Sequence, residues 1–510
     1  MNKNFIKYAG LAFISGAISK ILDALVKFLT VPLLLNFFGI NNFGVLTLAI
    51  SLNTYLNLLD AGVNTGAVKY FSEWIHRKRY ALLDSVARTS ISFYILIGLL
   101  NAILLLILSS DYVLSAFSLN ETEAIVFKKL IFVLICFSVF NWVTSVFNQL
   151  LVASEKVYFI NSMNLCKSLL NLLIVFITIY FKLEIQVYFF LFTGLNLFLL
   201  ITYVIKVKSI GIITSFLPGF NIKDFSIVFK YSLAILSISI FQVSANRLRP
   251  IILGFAPDAT KLLAEYRIME TISIFIISIG GMLGSIFLPK TAKLLTEGNY
   301  DAVRNFVYKG TLITSVVCTI LCGLIILLSN EILILYVGYE YTYLTNWLKI
   351  WILTILIYLH NIPANSLLLA IGKTKDLVFS TAISCIFSIF VNYLLINHFK
   401  VGSTVIGYSI YISMQMLMYY LFFNKKLLNL NSFKVFKSFI KPSLLGVTLV
   451  LGIDSLLQNI GFNTIIAKMI VKGGIWLIIY GIFIFVFRIF NFRDFKAFLG
   501  EVLSKSNNRY

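Results

Sequence analysis

Charged residues are scarce in this sequence, and acidic residues are scarcer than basic ones. Only 12% of the 510 residues are Asp, Glu, Lys or Arg, whereas 59% are hydrophobic. A soluble domain has about 25% charged residues. Apolar segments of about 20 residues, which match the hydrocarbon thickness of a bilayer, recur along the whole chain. The composition therefore excludes an ordinary soluble domain and predicts an all-α polytopic membrane protein.

Residues that would support enzyme chemistry are also few. The three histidines and five cysteines are scattered and show no metal-ligand spacing. No GxxxxGK[ST] loop occurs, so the chain carries no Walker motif for ATP hydrolysis. No Ser/His/Asp set or acidic pair can be assembled on a water-facing loop. We therefore expect no enzyme, no metal and no cofactor, with proton or sodium coupling left open.

The apolar segments number fourteen, and the basic residues between them are distributed unevenly. Alternate loops and the two termini hold 28 of the 42 Lys and Arg, whereas the opposite loops hold three. This asymmetry predicts that both termini are cytoplasmic. The net charge of +21 is thus spread along one membrane face, which argues against a nucleic-acid groove. The predicted spans begin near Ala9, Asn42, Thr89, Ile125, Tyr158, Gln186, Lys230, Leu263, Gly310, Tyr343, Leu377, Ser403, Ser438 and Thr464.

A weak internal repeat predicts how the spans are grouped. NQLLVASEK at 148–156 resembles NSLLLAIGK at 365–373, and FK recurs at 181–182 and 399–400. The copies end the fourth and tenth spans. Because six spans, an even number, separate these two ends, both halves share one orientation. We expect two parallel six-helix lobes, at 1–228 and 229–424, followed by two further helices and a cytoplasmic tail at 425–510. Such repeats place a substrate path between the lobes.

Three charges in the first span are the strongest candidates for a binding site. Lys20, Asp23 and Lys27 share one helical face, and Lys20 lies about 16 Å along the span at about 1.5 Å per residue. Each such charge costs about 2.5–3.5 kcal/mol at mid-membrane. The group is either a structural ion pair to a neighbouring helix or the wall of a water-filled cationic cavity, and intramembrane charges usually line a pathway.

Further candidates lie on the second, seventh and eighth spans. Arg247 and Arg249 either reach outer headgroups or bind phosphate, for which the arginine fork is suited. Glu270 either pairs with Arg267, one turn away, or couples transport to protons or sodium. Asp60 is a helix-end residue or a second coupling acid.

Several motifs resemble the polysaccharide transporter family of the multidrug/oligosaccharidyl-lipid/polysaccharide flippase superfamily. FGINNFGVLTLAISLNTYLNLLDAGVNTGAVKYFSE (38–73) resembles its first loop and second helix, and NRLRPIILGF with LAEYRI (246–268) its seventh-to-eighth helix junction. FLPKTAKLLTEGN (287–299), YVGYEY (336–341) and ANSLLLAIGKTKD (364–376) match later loops.

The resemblance implies a flippase for undecaprenyl-diphosphate-linked oligosaccharides, such as O-antigen or capsule repeat units, in the bacterial inner membrane. It implies alternating access around a cationic cavity in which Lys20, Lys27 and Arg247 are the cations. The expected partners are the lipid-linked substrate, membrane lipids, and a glycan polymerase with its chain-length regulator. Two alternatives remain: a membrane-embedded glycan polymerase or ligase, which the short outer loops disfavour, and a drug or cation antiporter, which the basic central charges disfavour.

The charge asymmetry yields a direct test of orientation. Reporter fusions after Tyr80, Lys208, Lys373 and Lys426 should report the cytoplasm, and fusions after Asn120 and Glu340 the periplasm, because cations are retained on the cytoplasmic side. Reversal at a single site would contradict the shared orientation of the two halves.

Overall fold

The computed structural model describes residues 3–372, 374–457, 462 and 464–489. Its secondary structure is helical, as expected where backbone polar groups must be satisfied without water. A 3₁₀ turn covers Tyr339–Leu344 and a π-helix covers Tyr419–Leu427. The α-helices are α1 Lys3–Leu56, α2 Leu58–His76, α3 Tyr80–Leu108, α4 Asp111–Leu114, α5 Glu121–Ala153, α6 Val157–Tyr180, α7 Ile185–Ile210, α8 Ile222–Leu253, α9 Ala259–Thr296, α10 Tyr300–Val337, α11 Thr345–Leu359, α12 Ile362–Ile371, α13 Thr374–Phe399, α14 Gly402–Met418, α15 Ser432–Leu457 and α16 Ile465–Val486.

These helices confirm the predicted all-α polytopic fold. Within the described residues, eleven helices are long and apolar enough to cross a membrane. The polar candidates Asp60, Arg247, Arg249 and Glu270 lie on helices α2, α8 and α9. The helices correspond to the fourteen predicted spans when α1 is divided at its internal break, α2 is joined to its second part, α11 and α12 are taken together, and the four-residue α4 is left out.

The FG pair at 38–39 makes the first of these divisions. Gly39 has φ 78° and ψ 165°, which interrupts α1 between its first and second membrane segments. A side chain is strained at this φ, so glycine is needed there. Gly44 follows one turn later, and a Cβ at this position would lie 1.9 Å from the backbone oxygen of Thr260. The glycine of the second FG pair, at 43–44, therefore allows α1 to contact α9 closely.

Several helix ends are defined by side-chain caps. Asn120 accepts from the backbone N–H of Glu123 at 2.8 Å, and Glu123 accepts in return from the backbone of Asn120 at 3.0 Å. This capping box fixes the start of α5. Asn221, Asn299 and Thr464 cap α8, α10 and α16, each by accepting one hydrogen bond from a backbone N–H of the first turn.

The two copies of the repeat have the same backbone where each ends. Glu155 in the first copy and Gly372 in the second both have positive φ, 59° and 79°. Both lysines of the FK pairs, Lys182 and Lys400, have φ 51° after a helix end. The repeated sequences therefore form repeated turns. Lys373, the last residue of the second copy, lies outside the described residues, as do the tail residues 490–510.

The chain forms two compact units. Unit 1 holds the described residues of 1–268 and 389–404, and unit 2 holds those of 269–388 and 405–510. In unit 1 a core around Tyr94, Trp142 and Tyr203 joins α3, α5 and α7. In unit 2 a core that includes Val307 and Leu367 joins α10 and α12. The predicted lobes at 1–228 and 229–424 stay a prediction.

Helices α15 and α16 belong to unit 2 and pack on α10. Gly446 of α15 lies against Thr319, whose hydroxyl is 3.2 Å from that of Ser443. Gly323 of α10 lies against the ring of Trp476 on α16, where an added Cβ would be 2.4 Å from the indole. Small residues thus let these helices approach closely, as is common between membrane helices.

Candidate functional site

Lys20 lies midway along the first segment of α1. It is 17 residues from Lys3 and 19 from Gly39, about 26 and 28 Å at about 1.5 Å per residue. Its side chain is exposed, and it makes no hydrogen bond or ion pair with any described residue. The structure therefore leaves a cation at the middle of a membrane-length segment without a partner among the described residues.

The exposed surface of α1 has two faces. Ile18, Leu25 and Leu29 are 47%, 40% and 50% exposed. At about 100° per residue, all three lie about 140–180° around the helix from Lys20. The apolar face suits lipid. A lysine that faced lipid at the middle of the segment would be costly. We therefore expect the face of α1 that carries Lys20 to contact water.

Asp23 and Lys27 form an ion pair on the Lys20 side of α1. Lys27 Nζ lies 2.7 Å from Asp23 Oδ2, and both side chains are about two-fifths exposed. The hydroxyl of Ser168 on α6 donates to Asp23 Oδ1 at 2.8 Å. Asp23 therefore neutralises one lysine and ties α1 to α6, and the water-filled cavity stays a prediction.

Lys167 joins this group, although the sequence left its direction open. It lies on α6 beside Ser168 and donates to the amide oxygen of Asn196 on α7. Asp23 and Lys27 both interact electrostatically with it. Lys27 and Lys167 thus interact with one aspartate, and Lys20 has no acidic partner among the described residues, so this part of unit 1, the first-helix cation group (Lys20, Asp23, Lys27 and Lys167), is net positive. A lysine in the middle of an apolar span is the signal that could have identified Lys167.

The arginine pair lies on α8, which packs against α1 in unit 1. Arg247 is exposed, whereas Arg249 is buried. Arg249 Nε donates to the backbone oxygen of Ala245 at 2.9 Å, and its Nη2 donates to Asn246 Oδ1 at 2.8 Å. Part of the Arg249 fork is therefore used within its own helix, whereas Arg247 is the more exposed of the two arginines.

Asp60 lies in the first turn of α2 and forms a hydrogen-bond network with α3 and α5. Tyr94 Oη donates to Asp60 Oδ1 at 2.6 Å, and Ser145 Oγ donates to Oδ2 at 3.0 Å. Gln149 Nε2 donates to Tyr94 Oη at 2.7 Å. No basic side chain pairs with Asp60 among the described residues. Neutral donors therefore satisfy this carboxylate, and its charge is not cancelled by a cation.

Glu270, the remaining predicted acid, is half-buried on α9 and belongs to unit 2. The structure thus places six of the seven predicted residues in unit 1 and Glu270 in the other unit. The coupling role of Glu270 stays a prediction.

A second charged cluster, which the sequence did not reveal, lies in unit 2. Glu331 on α10 is 2% exposed and Lys472 on α16 is 3% exposed. Lys472 Nζ lies 2.7 Å from Asp454 on α15 and 3.4 Å from Glu331, and Lys468 Nζ lies 2.9 Å from Glu331. Lys349 of α11 lies 3.7 Å from Asp454. This cluster is largely neutralised, and it links both C-terminal helices to α10.

Comparison with known proteins identifies the fold. The MatE family model matches residues 259–394. The structure is similar to the lipid II flippase MurJ in an inward closed conformation, with a TM-score of 0.68 and 14% identity over 92% of this chain and 99% of that one. No curated protein matches the sequence.

Two transporters of the MOP superfamily are also similar. An inward-facing multidrug resistance MATE family transporter gives a TM-score of 0.60 at 14% identity, over 87% of this chain and 100% of that one. A transporter from Pyrococcus furiosus, described as having a binding pocket of reverse polarity, gives 0.54 at 14% identity over 88% and 96%. The chain therefore has the fold of MOP-superfamily transporters.

Water contact at Lys20 can be measured directly. In a background without the five native cysteines, Lys20→Cys should react with a small water-soluble thiol reagent, because its face is hydrated. Ile18→Cys, on the opposite face of the same helix, is the matched control and should be protected. Equal protection of both cysteines would contradict an aqueous face and favour a buried ion pair.

The unit 2 cluster predicts a stability effect. Lys472→Met leaves Glu331 buried with less charge compensation, and breaking such a pair costs about 3–5 kcal/mol. Because Lys468 still contacts Glu331, we expect a loss near the lower figure and a clearly lower thermal midpoint in detergent. Lys349→Met, which removes a partly exposed contact, should cost less than about 1 kcal/mol. Equal midpoints for the two variants would contradict a structural role for Lys472.

Proposed function

We propose that this protein is a flippase that moves undecaprenyl-diphosphate-linked oligosaccharides across the bacterial inner membrane. The units would be O-antigen or capsule repeats, and transport would occur by alternating access through a cationic cavity. The observation that carries the proposal is the first-helix cation group, in which Lys20 is exposed, lies midway along the first segment of α1 and has no partner among the described residues, on the same helix face as Lys27.

The chemistry of this group favours an anionic cargo. A diphosphate cannot enter hydrocarbon as a bare ion, because burial of an isolated charge costs many kcal/mol. Fixed cations in water lower that cost while the sugars cross. Lys20, Lys27 and Lys167 would supply point charges, and Arg247 would add a fork that matches two phosphate oxygens. Arg249 would support Arg247 from within α8. Asp23 would moderate the field so that the cargo is released.

The structural relatives support a lipid-linked cargo over the alternatives. MurJ is described as a lipid II flippase, and its structure covers nearly the whole of this chain. The relatives are transporters or flippases, which supports the expectation that the chain is not a glycan polymerase or ligase. A drug or cation antiporter is the second candidate, and the observation that favours it is the uncompensated carboxylate of Asp60.

Asp60 is our candidate for ion coupling. A carboxylate held by Tyr94 and Ser145, without a basic partner, can take up a proton or a sodium ion without breaking an ion pair. Glu270 remains a second candidate in unit 2.

Several further properties follow from the proposal. Both termini would be cytoplasmic, and the lipid carrier would contact membrane lipids throughout. A glycan polymerase and its chain-length regulator would receive the exported units on the far side of the membrane.

The cargo can be tested by surface glycan in a strain that lacks the native copy. Charge should matter more than shape at Lys20, so Lys20→Arg should retain export while Lys20→Ala and Lys20→Glu should lose most of it. Arg247→Lys should be milder than Arg247→Ala. Membrane abundance is measured in parallel. Normal glycan from a stable Lys20→Ala, Lys27→Ala, Arg247→Ala variant would refute the proposal.

The coupling role of Asp60 can be tested in proteoliposomes. Asp60→Asn keeps the hydrogen-bonded shape but removes the charge, so gradient-driven flipping should fall by roughly 5–150-fold, the range of typical coupling free energies. Flipping without a gradient should persist. Asp84→Asn, at a loop contact to Thr214, is the control. If proton and sodium gradients drive the Asp60→Asn protein as well as the parent, Asp60 is not the coupling acid.

A further inference from the structure

An apolar groove lies on unit 1 where α3 ends and where α5 and α7 begin. Its volume is about 650 Å³. Several lining side chains are strongly exposed, including Leu106 at 62%, Phe132 at 65% and Phe190 at 51%. The apolar side chains that line it are Leu106, Phe132, Val133, Ile135, Val187 and Phe190. This surface needs a covering ligand that is itself apolar along most of its length.

One end of the groove carries two adjacent lysines. Lys128 and Lys129 line it together with Ser109 and Gln186. All four lie near helix ends on the face that the charge distribution predicts to be outer, where the loops hold only three cations. Two neighbouring lysines are therefore an exception to the asymmetry of this chain, and their position at the mouth of an apolar groove supplies a reason for it.

The two lysines differ in how much charge they can offer. Lys128 Nζ lies 2.5 Å from Asp111 Oδ1 on α4, so an acid already neutralises it. Lys129 is exposed and makes no ion pair with any described residue. Gln186 donates its amide to Glu184, which keeps that amide at the mouth without adding positive charge. Lys129 is thus the cation available to a ligand.

We propose that this groove binds an anionic phospholipid, with an acyl chain along the apolar wall and the headgroup phosphate at Lys129. The apolar wall and the lysine at its end together favour this ligand. A free anion would gain nothing from the apolar wall, and a zwitterionic lipid would gain little net attraction from a lysine. The proposal rests on the groove alone and does not depend on what the protein transports.

The expected selectivity is modest and can be stated in advance. A lysine near an anionic membrane surface contributes attraction equivalent to about a fivefold change in affinity. With Lys128 paired to Asp111, one available lysine predicts an approximately fivefold preference for phosphatidylglycerol over phosphatidylcholine. Removing the charge of Asp111, which frees Lys128, should increase this preference by about a further fivefold.

Quenching by brominated lipids tests this in the full-length protein. Phe132→Trp places an indole in the groove one helical turn from Lys128 and Lys129, and the unmodified protein gives the background from the five native tryptophans. Brominated phosphatidylglycerol should quench the new indole at about one-fifth of the concentration that phosphatidylcholine needs. Lys129→Gln should abolish the preference, whereas Lys400→Gln, at another predicted outer lysine, should not.

A gain of affinity separates this site from ordinary boundary lipid. Asp111→Asn frees Lys128 without altering the groove, so it should strengthen the preference for phosphatidylglycerol. Equal quenching by both lipids, or a preference that survives Lys129→Gln, would overturn the proposal. So would loss of the preference in millimolar inorganic phosphate, because that would indicate a simple anion site. Flipping activity is not a readout here, so failure leaves the proposed transport function untouched.

Discussion

The cost of placing a charge in hydrocarbon governs this structure. Eleven Lys and Arg lie within or beside the membrane spans, although the chain has few acids to neutralise them. The fold gives these cations different environments. Lys20 faces away from the lipid-exposed side of α1, Lys129 lies at a groove mouth, and Lys472 is buried between two carboxylates. Acidic side chains compensate this cost at Lys472, and our proposals assign the same role to water at Lys20 and to lipid phosphate at Lys129.

The contrast between the two units follows from that constraint. In unit 2, Glu331 and Asp454 neutralise Lys472, so the cluster holds helices together and offers little charge to a ligand. In unit 1, Asp23 pairs with Lys27 and interacts with Lys167, and Lys20 has no acidic partner among the described residues, so positive charge remains in the first-helix cation group. The same residue types are therefore structural in one place and available for binding in the other. Asp60 is held by neutral donors, which is why we propose it as the coupling acid.

Much of the fold could be predicted from sequence, because hydropathy and loop charge depend on local composition. The break at Gly39 and the matching turns at Glu155 and Gly372 also follow from local sequence. Pairing between distant segments could not be predicted. Lys472 and Glu331 are 141 residues apart, and nothing near either one identifies the other. Lys167 was visible as an intramembrane lysine, but only the packing of α6 on α1 shows that it joins Asp23 and Lys27.

The central claim is that fixed cations in unit 1 recognise the diphosphate of a lipid-linked cargo. Native mass spectrometry of the purified protein with undecaprenyl diphosphate and with neutral undecaprenol tests it most directly. We expect the wild-type protein to retain the diphosphate in clear preference to the alcohol. A Lys20→Ala, Lys27→Ala, Lys167→Ala variant should lose that preference while still binding the polyprenyl chain. Equal retention of both lipids by the wild type, or an unchanged preference in the variant, would contradict the account.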